Sequence, residues 1–183
     1  MIPMLTQIDE LIEFKELLNK ELESLKASGI KINKMPEIGI MIEVPSAAMI
    51  VDQLAPHLDF ISVGTNDLVQ YLCAADRMNS SVADLHDSYH PAVLRVLQLI
   101  SNQVKKSAKP IWMGMCGEMA AQKDYLPLLL ALGFKELSVS PGAVLRTRKR
   151  ILSIDMKECS LILEKALTAN SSNEMKKILS QFT

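Results

Sequence analysis

Short, unbroken apolar runs alternate along this chain with stretches whose apolar residues recur every three or four positions. Glu37 to Glu43, Phe60 to Val63, Ile111 to Met115 and Leu137 to Val139 are runs of the first kind, the pattern of parallel strands covered on both faces. Ile2 to Leu5 is a shorter one. Ile8, Leu11, Leu18, Leu22 and Leu25 keep helical spacing, with Thr6-x-x-Asp9 as the expected capping box and a stop near Gly29. Pro45 and Ser46 open a helix expected to reach about Leu54, and Leu68 opens a short one. A polar loop is expected between Asp76 and Tyr89. Pro91, at a helix's favoured first position, starts an amphipathic helix carrying Val93, Leu94, Leu97, Ile100 and Val104. Further helices run to Leu132, where Gly133 closes them. The tail, Met156 to Phe182, reads as two amphipathic helices joined by Asn170-Ser171-Ser172-Asn173.

Strands that alternate with helices imply a parallel sheet, and the pattern gives five strand-then-helix units. A full barrel of eight such units needs roughly 250 residues. The 183 residues here, opening on a strand at Met1 without a leader, are therefore expected to be one piece, residues 1–183, of a larger α/β barrel: its C-terminal part. A free-standing doubly wound sheet of five strands is the alternative.

Composition narrows the picture. The chain is 49% hydrophobic and 4% aromatic, aliphatic enough to fill a core. Its 20 Lys plus Arg nearly cancel 21 Asp plus Glu, so no general field draws it to nucleic acid or anionic lipid. The one basic cluster, Arg146 to Arg150, reads as the solvated face of a late helix. Cys73, Cys116 and Cys159 lack CxxC spacing, which suggests neither a disulfide framework nor a zinc site and fits a cytoplasmic, reducing location. No apolar run approaches the roughly 20 residues of a membrane-spanning helix.

The chemistry-bearing residues stand where apolar runs give way to helices. Glu43 follows Ile40-Met41-Ile42, Gly64-Thr65-Asn66-Asp67 follows Phe60 to Val63, and Cys116-Gly117-Glu118 follows Trp112 to Met115. Leu137-Ser138-Val139-Ser140 is a fourth such junction. Barrels collect reactive groups at the C-terminal rim of their strands. An unpaired carboxylate at Glu43 would cost on the order of a few kcal/mol, so it is either a helix cap or a hard-metal ligand. Paired with Asp67 from the next strand it reads as a Mg²⁺ ligand, because Mg²⁺ takes one or two protein carboxylates and leaves other positions to water and phosphate. Asn66 and the amides of Gly64 to Asp67 are expected to form an anion site at a helix start. Arg77 pairs either with Asp76 or, so soon after that loop, with a phosphate in bidentate fashion. Cys116, flanked by Gly114 and Gly117, is uncrowded, which suits a thiol that must approach a ligand. Cys73 and Cys159 read as small buried hydrophobes. His90 reads as a helix cap before Pro91, and His57 and His86 as loop residues without ligand partners.

Five separated segments carry a resemblance. They are Pro36 to Ala48 around Glu43, Phe60 to Tyr71 around Gly64-Thr65-Asn66-Asp67, Ala74-Ala75-Asp76-Arg77-Met78-Asn79, His90 to Leu94, and Gly114-Met115-Cys116-Gly117-Glu118-Met119-Ala120. In order and spacing they resemble the phosphoenolpyruvate-binding domain of the phosphoenolpyruvate-protein phosphotransferase family, Enzyme I of the sugar phosphotransferase system, including its nitrogen-related variant. Phosphoenolpyruvate synthase and pyruvate phosphate dikinase share two of the elements. The resemblance implies the C-terminal portion of a phosphoenolpyruvate/pyruvate-type (β/α)8 TIM barrel. It implies an enzyme that moves the phosphoryl group of phosphoenolpyruvate to a histidine of its own swivelling domain and then to the carrier HPr or a paralogue, releasing pyruvate. It also implies a homodimer.

By position the resemblance makes Glu43 and Asp67 the Mg²⁺ ligands, Asn66 and Arg77 contacts to the substrate's phosphate, and Cys116 the acid that protonates the enolate carbon. The family's phosphohistidine motif, Gly-Gly-x-x-Ser-His, is absent from these 183 residues, so only part of an active site is expected. Pro141-Gly142-Ala143-Val144-Leu145-Arg146, expected as the last rim loop, departs from the family's serine-rich sequence there. A non-catalytic module that dimerises or regulates through the same fold is the reading of a different class.

Overall fold

The computed structural model describes residues 1–182. Its scaffold is a parallel sheet of four strands: β1 (Gly39–Ile42), β2 (Phe60–Gly64), β3 (Trp112–Cys116) and β4 (Glu136–Ser138), in the order β1-β2-β3-β4. The fifth expected strand shrinks to one residue. Ile2 bridges Ile40 in parallel, its N–H donating to the Gly39 carbonyl at 2.9 Å and its carbonyl accepting from Met41 at 2.8 Å. Each strand therefore pairs with the next in sequence. A doubly wound sheet reverses its strand order part-way, so that alternative falls and the barrel-type arrangement stands.

Helix α1 (Ile8–Ala27) precedes β1. Its start corrects the expected capping box. Glu10 supplies the carboxylate, taking the N–H groups of Thr6 at 2.6 Å and Gln7 at 3.2 Å and the Thr6 hydroxyl at 2.9 Å. Asp9 is one residue too early to reach back. The single helix expected from Pro45 is two, α2 (Pro45–Met49) and α3 (Val51–Leu54), broken at Ile50. After β2 the chain turns at once into α4 (Thr65–Cys73), three residues sooner than expected. The remaining helices are α5 (Pro91–Lys106), α6 (Leu126–Leu132), α7 (Pro141–Leu152), α8 (Met156–Leu167) and α9 (Ser172–Ser180). Pro141 to Arg146 is thus the first half of α7 and not a loop. The tail agrees with its pattern, with the Ser171 hydroxyl capping α9 through the Glu174 N–H at 3.2 Å.

Strand residues alternate between two faces. Ile40, Ile42, Ile61, Val63, Met113 and Met115 point toward the helices and are buried in one core with Leu54, Leu97, Ile100 and Leu132. The opposite face, which in a barrel is the interior, carries Gly39, Met41, Phe60, Ser62, Gly64, Trp112, Gly114, Cys116, Glu136 and Ser138. Near its N-terminal end the rings of Phe60 and Trp112 stack, centroids 4.5 Å apart and planes 10° from parallel. A side chain at Gly39 has no room there, since its β-carbon would lie 2.4 Å from the Phe60 ring.

Candidate active site at the strand C-termini

At the C-terminal end of that interior face the expected residues gather. Glu43 directly follows β1 and is only 5% exposed, and its Oε1 accepts the Met4 N–H at 2.7 Å. The parallel register sets Ile42 beside Val63, which brings the next residues, Glu43 and Gly64, together. A β-carbon on Gly64 would sit 3.0 Å from Glu43 Oε2 and 2.9 Å from the Met41 sulfur. Glycine at 64 thus keeps the space in which this carboxylate lies. Asn66 and Asp67 are in the first turn of α4, immediately after β2. Both carboxylates therefore stand at the same ends of neighbouring strands.

Arg77 joins them from the loop after α4. Its Nη2 lies 3.5 Å from Asp67 Oδ1, with both side chains more than one-third exposed. Asp76 is otherwise engaged: its Oδ1 accepts the Met78 N–H at 2.8 Å in a local turn, so the adjacent Asp–Arg pairing does not form. The loop is anchored by the Arg77 N–H donating to Gln70 Oε1 at 3.3 Å.

Cys116 ends β3 opposite Gly64. Its thiol donates to the Val63 carbonyl at 3.6 Å and accepts from the Ser62 hydroxyl at 3.6 Å, with the Met41 sulfur 4.0 Å away. The half-buried thiol thus lies on the interior face among neighbours from β1 and β2. Cys73 and Cys159 differ. Burial pushes both thiols up and keeps them protonated, in keeping with structural roles.

Thr65 ties the two strand ends together, its Oγ1 donating to the Cys116 carbonyl at 3.2 Å while only 2% exposed. The chain leaves Cys116 through Gly117 at φ 105 and ψ 178, a conformation essentially confined to glycine. The next amide, Glu118 N–H, donates to Asn66 Oδ1 at 3.3 Å. A backbone N–H can only donate, so this contact fixes the Asn66 amide with its oxygen inward and leaves its NH₂ as donor to the cleft. That cleft, about 490 Å³, is lined by Asn66, Arg77, Met78, His86 and Glu118.

His86 was not expected here. Its Nε2 lies 2.9 Å from the Asn66 carbonyl, which requires a proton on that nitrogen and pins the polar loop over the start of α4. The rest of α4 and the polar loop separate the two in the chain, and no sequence pattern marks the contact. His90 does cap α5, with Nδ1 accepting the Ala92 N–H at 3.2 Å. Among the described residues no three His, Cys, Asp or Glu side chains close on a metal cage, and no helix is long and apolar enough to cross a membrane.

Two carboxylates, an amide donor and a thiol thus stand at the C-terminal ends of parallel strands, with an arginine reaching them from the loop after α4. The chain belongs to the family of PEP-utilising enzymes, in their PEP-binding domain, which residues 1–156 match. It is similar to the phosphoenolpyruvate-protein phosphotransferase of Listeria monocytogenes, 40% identical over 183 residues that cover all of this chain and 32% of that protein. The phosphotransferase of the same name from Mycoplasma genitalium is 42% identical over 182 residues, 100% of this chain and 31% of that protein. That of Bacillus subtilis is 41% identical over 175 residues, 96% and 30%. The chain spans about a third of the length of these curated relatives.

Proposed function

We propose that this chain is the C-terminal part of the phosphoenolpyruvate-binding barrel of a phosphoenolpyruvate-protein phosphotransferase, and that its strand-end cluster is that enzyme's half-site for substrate. The observation that carries the reading is the convergence of Glu43, Asn66, Asp67, Arg77 and Cys116 on one rim. The earlier strands of the barrel, and a swivelling domain bearing the acceptor histidine, belong to the rest of the protein. Its partners in this reading are phosphoenolpyruvate and pyruvate, HPr or a paralogue, and a second copy in a homodimer.

The residues fit Mg²⁺. Glu43 and Asp67 supply two hard oxygen donors from adjacent strand ends, and the absence of a side chain at Gly64 lets the Glu43 carboxylate lie at the rim beside the start of α4. Bound there, the cation would neutralise charge on the phosphate and on the enolate oxygen. Arg77 faces the transferring phosphoryl group, exchanging its 3.5 Å contact with Asp67 for phosphate oxygens, and the Asn66 NH₂ adds an uncharged donor. When the P–O bond to the enolate breaks, the phosphoryl group passes to the histidine nitrogen and the enol electrons return to carbon. Cys116 gives its thiol proton to that carbon, forming the methyl group of pyruvate, and the Ser62 hydroxyl stabilises the thiolate until water reprotonates it.

In the full-length protein, Cys116→Ala is expected to lower pyruvate formation by about 10²–10⁴-fold, the range for lost general acid catalysis, while phosphoenolpyruvate affinity changes little. Stopped-flow pyruvate release and equilibrium binding measure the two. An unchanged rate returns Cys116 to a packing role and removes the chemical step from this rim.

A further inference from the structure

The polar loop between α4 and α5 is anchored at consecutive residues, His86, Asp87 and Ser88, each by a different element. The His86 ring donates from Nε2 to the Asn66 carbonyl, in the first turn of α4, at 2.9 Å. Asp87 ties the loop to α9: its Oδ2 accepts the Lys176 ammonium at 3.0 Å, and its Oδ1 takes the Tyr89 N–H at 2.9 Å. The same ammonium lies over the Tyr89 ring, 5.0 Å from its centroid. The Ser88 carbonyl accepts the hydroxyl of Tyr125, a fully buried residue directly before α6. An irregular segment has no ladder or helix to fix its course, so contacts of this kind decide where it lies. Here they hold the backbone that carries His86.

We infer, resting on the function proposed above, that His86 is a positioning residue: it orients Asn66 for the substrate's phosphate. A helical carbonyl uses one lone pair on the N–H four residues further along and keeps a second, which at Asn66 goes to His86. A hydrogen bond to that carbonyl fixes the peptide plane beyond Asn66, and with it the direction in which the Asn66 side chain leaves the backbone. The side chain itself is held from elsewhere, its Oδ1 accepting the Glu118 N–H at 3.3 Å. Main chain and side chain of one residue are thus fixed by groups from two separate segments, which is the preorganisation that a donor aimed at phosphate needs. Asn66, His86 and Glu118 line both the cleft of about 490 Å³ that contains Arg77 and a second cavity of about 230 Å³ containing Thr65 and Asp87, so they form a wall that the two share. His86 acts through Asn66, and nothing in this role requires its ring to change protonation.

Variants of the full-length protein test the role. His86→Leu fills the ring's place without a donor, His86→Gln returns an N–H of similar reach, and Asn66→Ala removes the side chain through which His86 acts. His86→Leu is expected to raise the KM for phosphoenolpyruvate about three- to tenfold, the effect of one neutral hydrogen bond, while kcat stays within about twofold, as for a contact made equally in ground and transition states. The Kd for phosphoglycolate, which carries phosphate and carboxylate but no enol, should rise by the same factor in calorimetry. His86→Gln should bring both constants back to within about twofold of the original protein. In the Asn66→Ala background His86→Leu should weaken binding by less than about twofold more, a coupling that general loosening of the loop does not produce. Should His86→Leu fail to fold, His86→Asn, polar but too short to reach the carbonyl, is read in its place. The inference is overturned if His86→Leu leaves KM and Kd unchanged, if His86→Gln is as impaired as His86→Leu, or if the loss persists in full without the Asn66 side chain. In each of these cases the original protein still binds phosphoenolpyruvate and the function proposed above stands. An original protein that binds neither phosphoenolpyruvate nor phosphoglycolate overturns both.

Discussion

On the helix-facing side of the sheet, Ile40, Ile42, Ile61, Val63, Met113 and Met115 are each at most 3% exposed. On the other side the same strands carry Met41, Ser62, Gly64, Gly114, Cys116 and Glu136, a mixture of small, polar and sulfur-bearing residues. Each large side chain on the first face contributes about 1.5–3 kcal/mol by leaving water. The second face gives up much of that burial. Its glycines leave space instead, so that the Phe60 ring covers Gly39 and the Glu43 carboxylate settles against Gly64. Because strand side chains alternate with a period of two, one strand serves both purposes without compromise in either.

The sharpest way to break this division is a cavity on the helix side. Ile61→Ala, in the middle of β2 with 0% exposure, is expected to destabilise the chain by about 2–5 kcal/mol, measured by urea unfolding. In the full-length protein the variant should keep its phosphoenolpyruvate affinity wherever it remains folded. A folded Ile61→Ala protein without that affinity would show that the faces are not separable.

A smaller stability effect with a larger functional one is expected at Gly117→Ala. Its β-carbon would lie 2.5 Å from Thr65 Oγ1 and 3.1 Å from Asn66 Oδ1, at φ +105. Strain of about 1–3 kcal/mol should appear in thermal melts. The displaced Thr65 and Asn66 should cost substrate affinity more than Ile61→Ala does, and the reverse ranking would invert the assignment of the two faces.

The least effect concerns pH, at the strand ends far from the rim. The Lys109 ammonium, 2.9 Å from Asp59, and the Ile38 N–H, at 2.8 Å, hold the Asp59 carboxyl below its usual range against the opposing effect of burial. A carboxyl whose folded pKa is depressed contributes stability that is complete above its unfolded value, about 3.9, and is lost as pH falls through the lowered folded value. The side chain is 39% exposed, so solvent screening keeps the contribution under about 1 kcal/mol. Asp59→Asn should flatten the loss of melting temperature below about pH 4; an unchanged acid profile would remove this pair from the acid response.

The sequence by itself determined what local patterns can carry. Continuous apolar runs located the four strands, because a parallel strand covered on both sides tolerates few polar positions. Apolar spacing located α1, α5, α8 and α9, because a helix buries one stripe. The residues at the strand ends were legible for the same reason: they interrupt apolar runs at a fixed place. Tertiary structure decided the rest. Ile2 reaches its bridge partner in β1 nearly 40 residues further along the chain. His86 acquires a role through the Asn66 carbonyl, and Arg77 exchanges its chain neighbour Asp76 for Asp67 across the turn. The basic run keeps Arg146, Arg148 and Lys149 on a solvated face, as its pattern indicates, but folding half-buries Arg150 and brings its Nη2 to the Phe182 carbonyl, which no local pattern marks. Periodicity reports which side of an element is apolar, whereas these contacts depend on which distant element packs against that side, and only the assembled fold supplies that.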